Sequence, residues 1–215
     1  MKKSIAVLGL GKFGKSLAEN LYNMGADVLA VDRNAELIND FSSKCTSAIC
    51  ANLAEEDEVA SLGLKNMDIV VVTMGSNLVA SIMSIAVAKE QGVPVVVAKT
   101  SSERMSAILR KVGADKILDP EGEEGVRSAR ILLSSYTDFF ELGDNLYVVE
   151  MEPKGNWIGK NLLQLELHKN HGVVVVAIRE KGEQWQFIDP RKPLTAECNL
   201  LTVMKKETME KYRES

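Results

Sequence analysis

Histidine occurs twice in 215 residues, as His168 and His171, and cysteine three times, as Cys45, Cys50 and Cys198. Those scarcities remove whole classes of chemistry. The chain has no Ser-His-Asp set, no HExxH and no GxxxxGK followed by Ser or Thr, so hydrolase, metalloprotease and P-loop readings have no residues to stand on. The cysteines are too few and too scattered for a disulfide framework, and no CxxC pair suggests zinc. Each is expected to be a buried small hydrophobe. The histidines lie in "LELHKNHG", beside no cysteine and no regular acidic spacing, and read as structural or surface residues.

Long apolar runs are also missing: none approaches the roughly 18 residues that a membrane helix needs. Lys2 and Lys3 lead straight into the short run Ser4 to Leu10, with no small-residue cleavage site after it, which reads as a cytosolic, unprocessed chain. Neither charge sign dominates. Residues 1–137 carry 15 basic and 17 acidic side chains, which leaves 11 and 13 for residues 138–215 out of totals of 26 and 30. A nucleic-acid partner is therefore not expected.

What is present is enough apolar material, 46% of residues beside 26% charged, to bury a core. The length suits one large domain and one small one. Short apolar runs recur between helix-length stretches at Ile5–Leu8, Val28–Val31, Ala48–Cys50, Ile69–Thr73, Val93–Ala98 and Lys116–Leu118. Their unbroken apolar character, as in "DIVVVT" and "VPVVVA", is that of parallel strands covered by helices on both faces. Six strands and five crossovers follow.

In 101–112, Met105, Ile108, Leu109 and Val112 form one stripe facing the sheet, and Gly113 supplies a helix stop. From Leu78 to Gln91 the apolar residues instead wrap most of the circumference, which suggests a subunit interface. A connector helix runs from Glu121, in an acidic cluster suited to a helix start, to about Ser134. Beyond Asp138 the texture changes to short extended pieces: Tyr147–Glu152, Gly172–Arg179, Gln184–Ile188 and Leu200–Met204, with a hairpin turn on Lys181-Gly182. The boundary is placed so that residues 1–137 form one domain and 138–215 a small α+β subdomain.

Gly9-Leu10-Gly11-Lys12-Phe13-Gly14 directly follows the first strand and opens the first helix. In a GxGxxG the first glycine permits a tight turn, the second lets backbone approach a phosphate, and the third lets helix and strand close up. The helix start offers unpaired N–H groups and a positive dipole end, and Lys12 adds a mobile charge. Asp32 ends the second strand where a carboxylate accepts from ribose hydroxyls and repels a 2′-phosphate, with Arg33 beside it; its alternative is a helix cap before "RNAELIND". This is a Rossmann-like, doubly wound α/β fold whose ligand lies at the carboxyl ends of the strands. Asn52 and Leu53, then Thr73, Gly75, Ser76 and Asn77, then Lys99, are the further candidates. Ordinary turn chemistry competes at Asn52 and Ser76, solvent at Lys99, and a helix start at Glu121.

A dehydrogenase built on such a loop needs a substrate domain and a proton-transferring residue. Neither is visible, so a small NAD-dependent oxidoreductase or an NADH redox sensor stands only as the alternative reading. A redox-sensing repressor would need a basic DNA-reading domain, for which no segment is available.

The segments "IAVLGLGKFGKSLAENLYNMGADVLAVDRN", "ICANLAEEDEVASLGLKNMDIVVVTMGSN" and "LRKVGADKILDPE" together resemble the regulator-of-potassium-conductance (RCK) family, in its Ktr and Trk branch of cytosolic potassium-uptake subunits. "IGKNLLQLELHKNHGVVVVAI" is similar to the core of that family's C-terminal subdomain, so the resemblance spans nearly the whole chain. It implies a non-enzymatic gating subunit: a homodimer, four of which form an octameric ring docked on the inner face of a potassium-translocating integral membrane subunit. It implies ATP or ADP as ligand, with NAD or NADH the alternative. Lys12 stands where Ktr-type members carry an arginine that reaches the terminal phosphate; lysine keeps the charge without the bidentate fork. Glu121 matches a glutamate found near the phosphates and a divalent cation, so the resemblance makes it the candidate metal ligand, for Mg or Ca. Several relatives bind cyclic di-AMP in the C-terminal subdomain beside a strand matching Val173–Ile178. They use an arginine where this chain has His168, and that departure counts against the second ligand.

Overall fold

The computed structural model describes residues 2–132 and 136–213. The chain divides into two compact units, Met1–Glu123 and Glu124–Ser215.

In the first unit six parallel strands form one sheet: β1 (Ser4–Leu8), β2 (Asp27–Asp32), β3 (Ser47–Cys50), β4 (Ile69–Val72), β5 (Val95–Lys99) and β6 (Lys116–Leu118). Their order is β3-β2-β1-β4-β5-β6, the doubly wound arrangement whose switch point lies between β1 and β4. The helices that cross between them are α1 (Lys12–Asn23), α2 (Ala35–Phe41), α3 (Glu56–Ser61), α4 (Leu78–Glu90) and α5 (Glu103–Val112), and α6 (Pro120–Leu132) follows β6. The two-residue side-chain period of the strands explains their continuous apolar runs. Ala6, Leu8, Leu29, Val31, Val70 and Val72 face one core, with Val59, Ile85 and Leu109 from α3, α4 and α5. Val7, Val28 and Ala30 face another, with Ala18 from α1 and Ile38 and Phe41 from α2.

The two edges of this sheet account for two corrections. Cys50 is exposed rather than buried, because β3 is an edge strand with most of its residues open to solvent. On α5, Leu109 is buried and Met105 and Val112 half-buried, but Ile108 is exposed: the β6 edge it runs along is three residues long. Helix α4 buries Ala80, Ser81, Ser84, Ile85, Val87 and Ala88, while Val79 at its start remains 62% exposed beside exposed Leu78.

The second unit holds a five-stranded antiparallel sheet. Its elements are β7 (Tyr136–Gly143), β8 (Leu146–Met151), α7 (Leu162–Leu165), α8 (Leu167–His171), β9 (Val173–Glu180), β10 (Gln186–Phe187), β11 (Cys198–Lys205) and α9 (Lys206–Arg213). The strand order is β10-β9-β11-β8-β7. Tyr147, Val149 and Met151 alternate onto a core closed by Trp157, Leu167, Met209 and Tyr212. Arg127 donates from Nη2 to both Asp138 carboxylate oxygens at 2.7 and 2.8 Å, and the guanidinium holds that carboxyl below its usual range.

Sequence reasoning missed β7 and α9. Register shifts interrupt β7 at both ends, between Tyr136 and Asp138 and between Glu141 and Gly143, which spoils its alternation. It turns into β8 on Asp144 and Asn145, both at positive φ. In α9 the buried residues are Met209 and Tyr212, too sparse an apolar pattern to stand out. The strand expected at Gln184–Ile188 shrinks to Gln186–Phe187, with Phe187 91% exposed. The connector helix is described from Pro120 to Leu132, and its expected end at Ser134 lies outside the described residues. Among the described residues no helix is long and apolar enough to cross a membrane.

Candidate functional site

The glycine turn is built by three neighbouring strands. Gly9 continues the ladder by donating its N–H to Val31 O at 2.8 Å, then turns at φ +101°, a conformation that L side chains rarely adopt. Strand β4 ends below it. The Thr73 hydroxyl donates to Gly9 O at 2.6 Å and lies 3.0 Å from Leu8 O. Gly14 is pressed against the same turn: a Cβ there would stand 2.0 Å from Gly9 O and 2.8 Å from Thr73 Oγ1. The first and third glycines are thus required by the protein's own packing.

Gly11 is different. It caps α1 with φ −63° and ψ −176°, and a Cβ there would meet nothing within 4 Å. It supplies no side-chain cap, and α1 has no acidic residue in its first turn. Asn34, Asn77 and Ser102, by contrast, cap α2, α4 and α5 with their side chains. Lys15 N takes Gly11 O as the first intrahelical acceptor, so the amides of the first turn have no intrahelical acceptor, and the positive end of the dipole lies beside exposed Gly11.

Asp32 faces this turn from the end of β2. Its Oδ2 accepts from Leu10 N at 2.7 Å and its Oδ1 from Asn34 N at 3.0 Å. Each oxygen retains a further lone pair for a hydroxyl donor. The cap of α2 is Asn34, which accepts from Glu36 N and Leu37 N, so the capping alternative for Asp32 falls away.

Around these groups lies an open cleft of about 220 Å³. Of the candidates, Gly9, Gly11, Asp32, Arg33, Asn52, Leu53, Thr73, Ser76 and Asn77 line it. Asn52 also closes a turn by accepting from Ala54 N at 3.2 Å, and Asn77 accepts from Ala80 N at 3.2 Å, so turn chemistry and lining coexist. Met74, within the strand-end stretch Thr73 to Asn77, lines it too, and Ala51 and Ala80 line it unforeseen, being apolar residues that carry no motif signal. Lys12, Phe13, Gly14, Gly75, Lys99 and Glu121 stand outside the lining. Lys12 is exposed at the first position of α1, and Gly14 is buried under the turn.

Lys99 and Glu121 form an ion pair, with the Lys99 ammonium 5.7 Å from the centre of the Phe13 ring. The solvated-surface alternative for Lys99 is thereby replaced by a partner. The Lys99 hydrogen bond also holds the Glu121 carboxyl below its usual range. Among the described residues no three His, Cys, Asp or Glu side chains gather as a metal site.

In the second unit His168 is exposed and shares a groove with Leu163, Leu167 and Val173 to Val175. The His171 ring stands 6.2 Å from Trp157 and 6.4 Å from Tyr212.

A doubly wound sheet with an uncapped glycine-led helix after its first strand and a carboxylate at the end of the neighbouring strand defines a nucleotide-binding Rossmann domain, here followed by a small antiparallel unit. Residues 5–120 match the TrkA-N domain family, and the chain belongs to it. It is 35% identical over 182 residues to Ktr system potassium uptake protein A of Bacillus subtilis (strain 168), covering 84% of this chain and 82% of that protein. Against the protein of the same name from Vibrio alginolyticus the identity is 36%, covering 84% and 83%. The fold is also that of the GsuK channel bound to NAD, at TM-score 0.65 and 14% identity, over 97% of this chain and 38% of that one. GsuK bound to ADP superposes at TM-score 0.53 and 12% identity, over 63% and 36%. The chain spans less than half the length of these channel chains.

Proposed function

We propose that this protein is a nucleotide-sensing gating subunit of a potassium uptake system, acting at the cytoplasmic face of a potassium-translocating membrane partner. The observation that carries the reading is the bare start of α1, open beside Gly11, with the Asp32 carboxylate across the turn. Amides and a dipole end suit phosphates, and a carboxylate with spare lone pairs suits a ribose. The potassium context comes from the Ktr relatives.

We favour ATP and ADP because the similarity runs to the Ktr branch. NAD or NADH is the second reading, supported by a protein of this fold bound to NAD. Asp32 suits the ribose of either and repels a 2′-phosphate. Binding can shift a ring between states only through contacts that differ between them. Lys12 and Lys99 supply such contacts: a terminal phosphate competes with Glu121 for the Lys99 ammonium. Glu121, once released, is one carboxylate of the kind that holds Mg or Ca together with phosphate oxygens. We take residues 1–137 as the nucleotide-binding domain, dimerising through the exposed apolar start of α4, and 138–215 as the regulatory subdomain of an octameric ring. Regulation rather than catalysis is the role we assign. Cyclic di-AMP at the His168 groove is not part of the reading.

The test is calorimetry and thermal stabilisation with ATP, ADP, NAD, NADH, AMP and cyclic di-AMP, with mass by light scattering. A ligand at a hundred times its Kd stabilises the folded state by about 2.7 kcal/mol. Response to ATP and ADP with an octamer-sized species supports the proposal. Response to NADH alone moves the ligand to the second reading, and response to none refutes the site.

A further inference from the structure

We infer that Thr73 is a positioning residue of the glycine turn, its hydroxyl clamping the turn open for a phosphate without itself holding the ligand. The inference rests on the nucleotide reading above and assigns Thr73 a role beyond cleft lining.

Strand β4 carries Thr73 directly under the end of β1, where its N–H donates to Leu8 O at 2.9 Å. Thr73 is buried, at 9% exposure for the residue, and its hydroxyl reaches Gly9 O at 2.6 Å with Leu8 O at 3.0 Å. A hydroxyl has one proton. Gly9 O takes it at the shorter distance, so the hydroxyl has no second proton to give a phosphate. The two carbonyls that end β1 are drawn towards β4. A carbonyl oxygen turned into an anion site would oppose the ligand with the negative end of its dipole, so engaging it with a donor keeps the cleft electropositive.

The clamp is also steric. The Thr73 hydroxyl lies 3.0 Å from where a Gly9 Cβ would be and 2.8 Å from where a Gly14 Cβ would be, so turn, helix start and strand end meet at one oxygen. Threonine suits the task because its β-branch restricts χ1 and fixes where the oxygen points. Gly9 has no side chain to restrict its own torsions, and without the hydroxyl its carbonyl is freed to rotate. The amides of residues 11–14 would then lose their common direction while the sheet below stays intact.

The full chain is compared with Thr73→Val, which keeps the shape, and Thr73→Ser, which keeps the hydroxyl. Calorimetry with ADP and with NAD is paired with thermal unfolding and residue-resolved amide exchange. For whichever nucleotide the wild type binds, we expect valine to weaken binding about tenfold, the order expected for one lost hydrogen bond, and serine to restore it to within about twofold. Amide exchange should quicken at residues 11–14 in the valine protein and stay unchanged in α5 and β11. Valine binding as tightly as wild type overturns the inference, and so does serine failing to rescue. If valine does not fold, alanine replaces it, and equal affinities for the alanine and serine proteins overturn the clamp. A wild type that binds neither of these, nor ATP, NADH or AMP, refutes the nucleotide reading instead. The exchange comparison then still tests the clamp: quickened exchange at residues 11–14 upholds it and unchanged protection there sinks it.

Discussion

Replacing Gly11 separates ligand contact from folding more cleanly than any other change in the site. Its φ of −63° and ψ of −176° are open to any residue, and an added Cβ meets no atom within 4 Å. Two small effects on stability oppose each other. Alanine loses less chain entropy on folding than glycine, which contributes about 0.4–1 kcal/mol, but it is the poorer N-cap by a similar amount. The net should stay within about 1 kcal/mol, a Tm change of at most about 4 °C for a chain of this size. Binding should respond quite differently. A methyl group on the exposed side of the first amides holds a phosphate off by more than about 0.7 Å, enough to stretch N–H···O contacts of about 2.9 Å past useful length. Two such charge-assisted bonds at about 1.5 kcal/mol each make about 3 kcal/mol, or about a hundredfold in Kd. Calorimetric titration of Gly11→Ala with ADP and NAD beside thermal unfolding measures both quantities. Unchanged affinity in a normally folded variant would show that no phosphate approaches this turn.

Gly14→Ala should do the reverse: its Cβ falls 2.0 Å from Gly9 O, so loss of soluble folded protein is expected, and a Tm near that of the wild type would contradict the packing. Asp32→Asn should weaken ribose-bearing ligands at least about fivefold while keeping one acceptor for the turn; Asp32→Ala should also lose about 1–2 kcal/mol in urea melts, because Leu10 N and Asn34 N lose their acceptor. Cys50 is the exposed thiol, whereas burial pushes Cys45 and Cys198 up, so an aromatic disulfide reagent should titrate one thiol natively and three in denaturant. Asp138 has its carboxyl lowered by Arg127. Its contribution is therefore present above the ordinary aspartate value of 3.8 and is lost as pH falls through the lower folded value. In urea titrations Asp138→Asn should destabilise at pH 7 and by progressively less as pH falls below 3.8, and a deficit that does not shrink on acidification would point to lost packing.

The first unit was legible because its strands are continuous apolar runs and its turn carries a motif tied to a fixed place in the topology. What escaped there came from position in the sheet, which no local pattern reports: Cys50 and Ile108 sit where the sheet ends. The second unit was harder. Strand β7 is broken by register shifts and α9 shows two apolar residues in eight, so neither has a period to detect. Within the site, the strand-end rule found the lining at Asn52, Thr73, Ser76 and Asn77. It could not say which side chains are already engaged, since the double use of Asp32, the pairing of Lys99 with Glu121 and the inward turn of Thr73 are facts of three dimensions.

The close approach of Gly14 to Gly9 has a meaning for descent as well as for packing. Selection on the fold alone holds these two glycines, because any side chain at 14 collides with backbone whether or not a ligand is ever bound. Gly11 has no such protection. A descendant that abandoned its nucleotide would keep the first and third letters of the motif and drift at the second. In a lineage of such chains the middle glycine alone records whether the ligand was still in use.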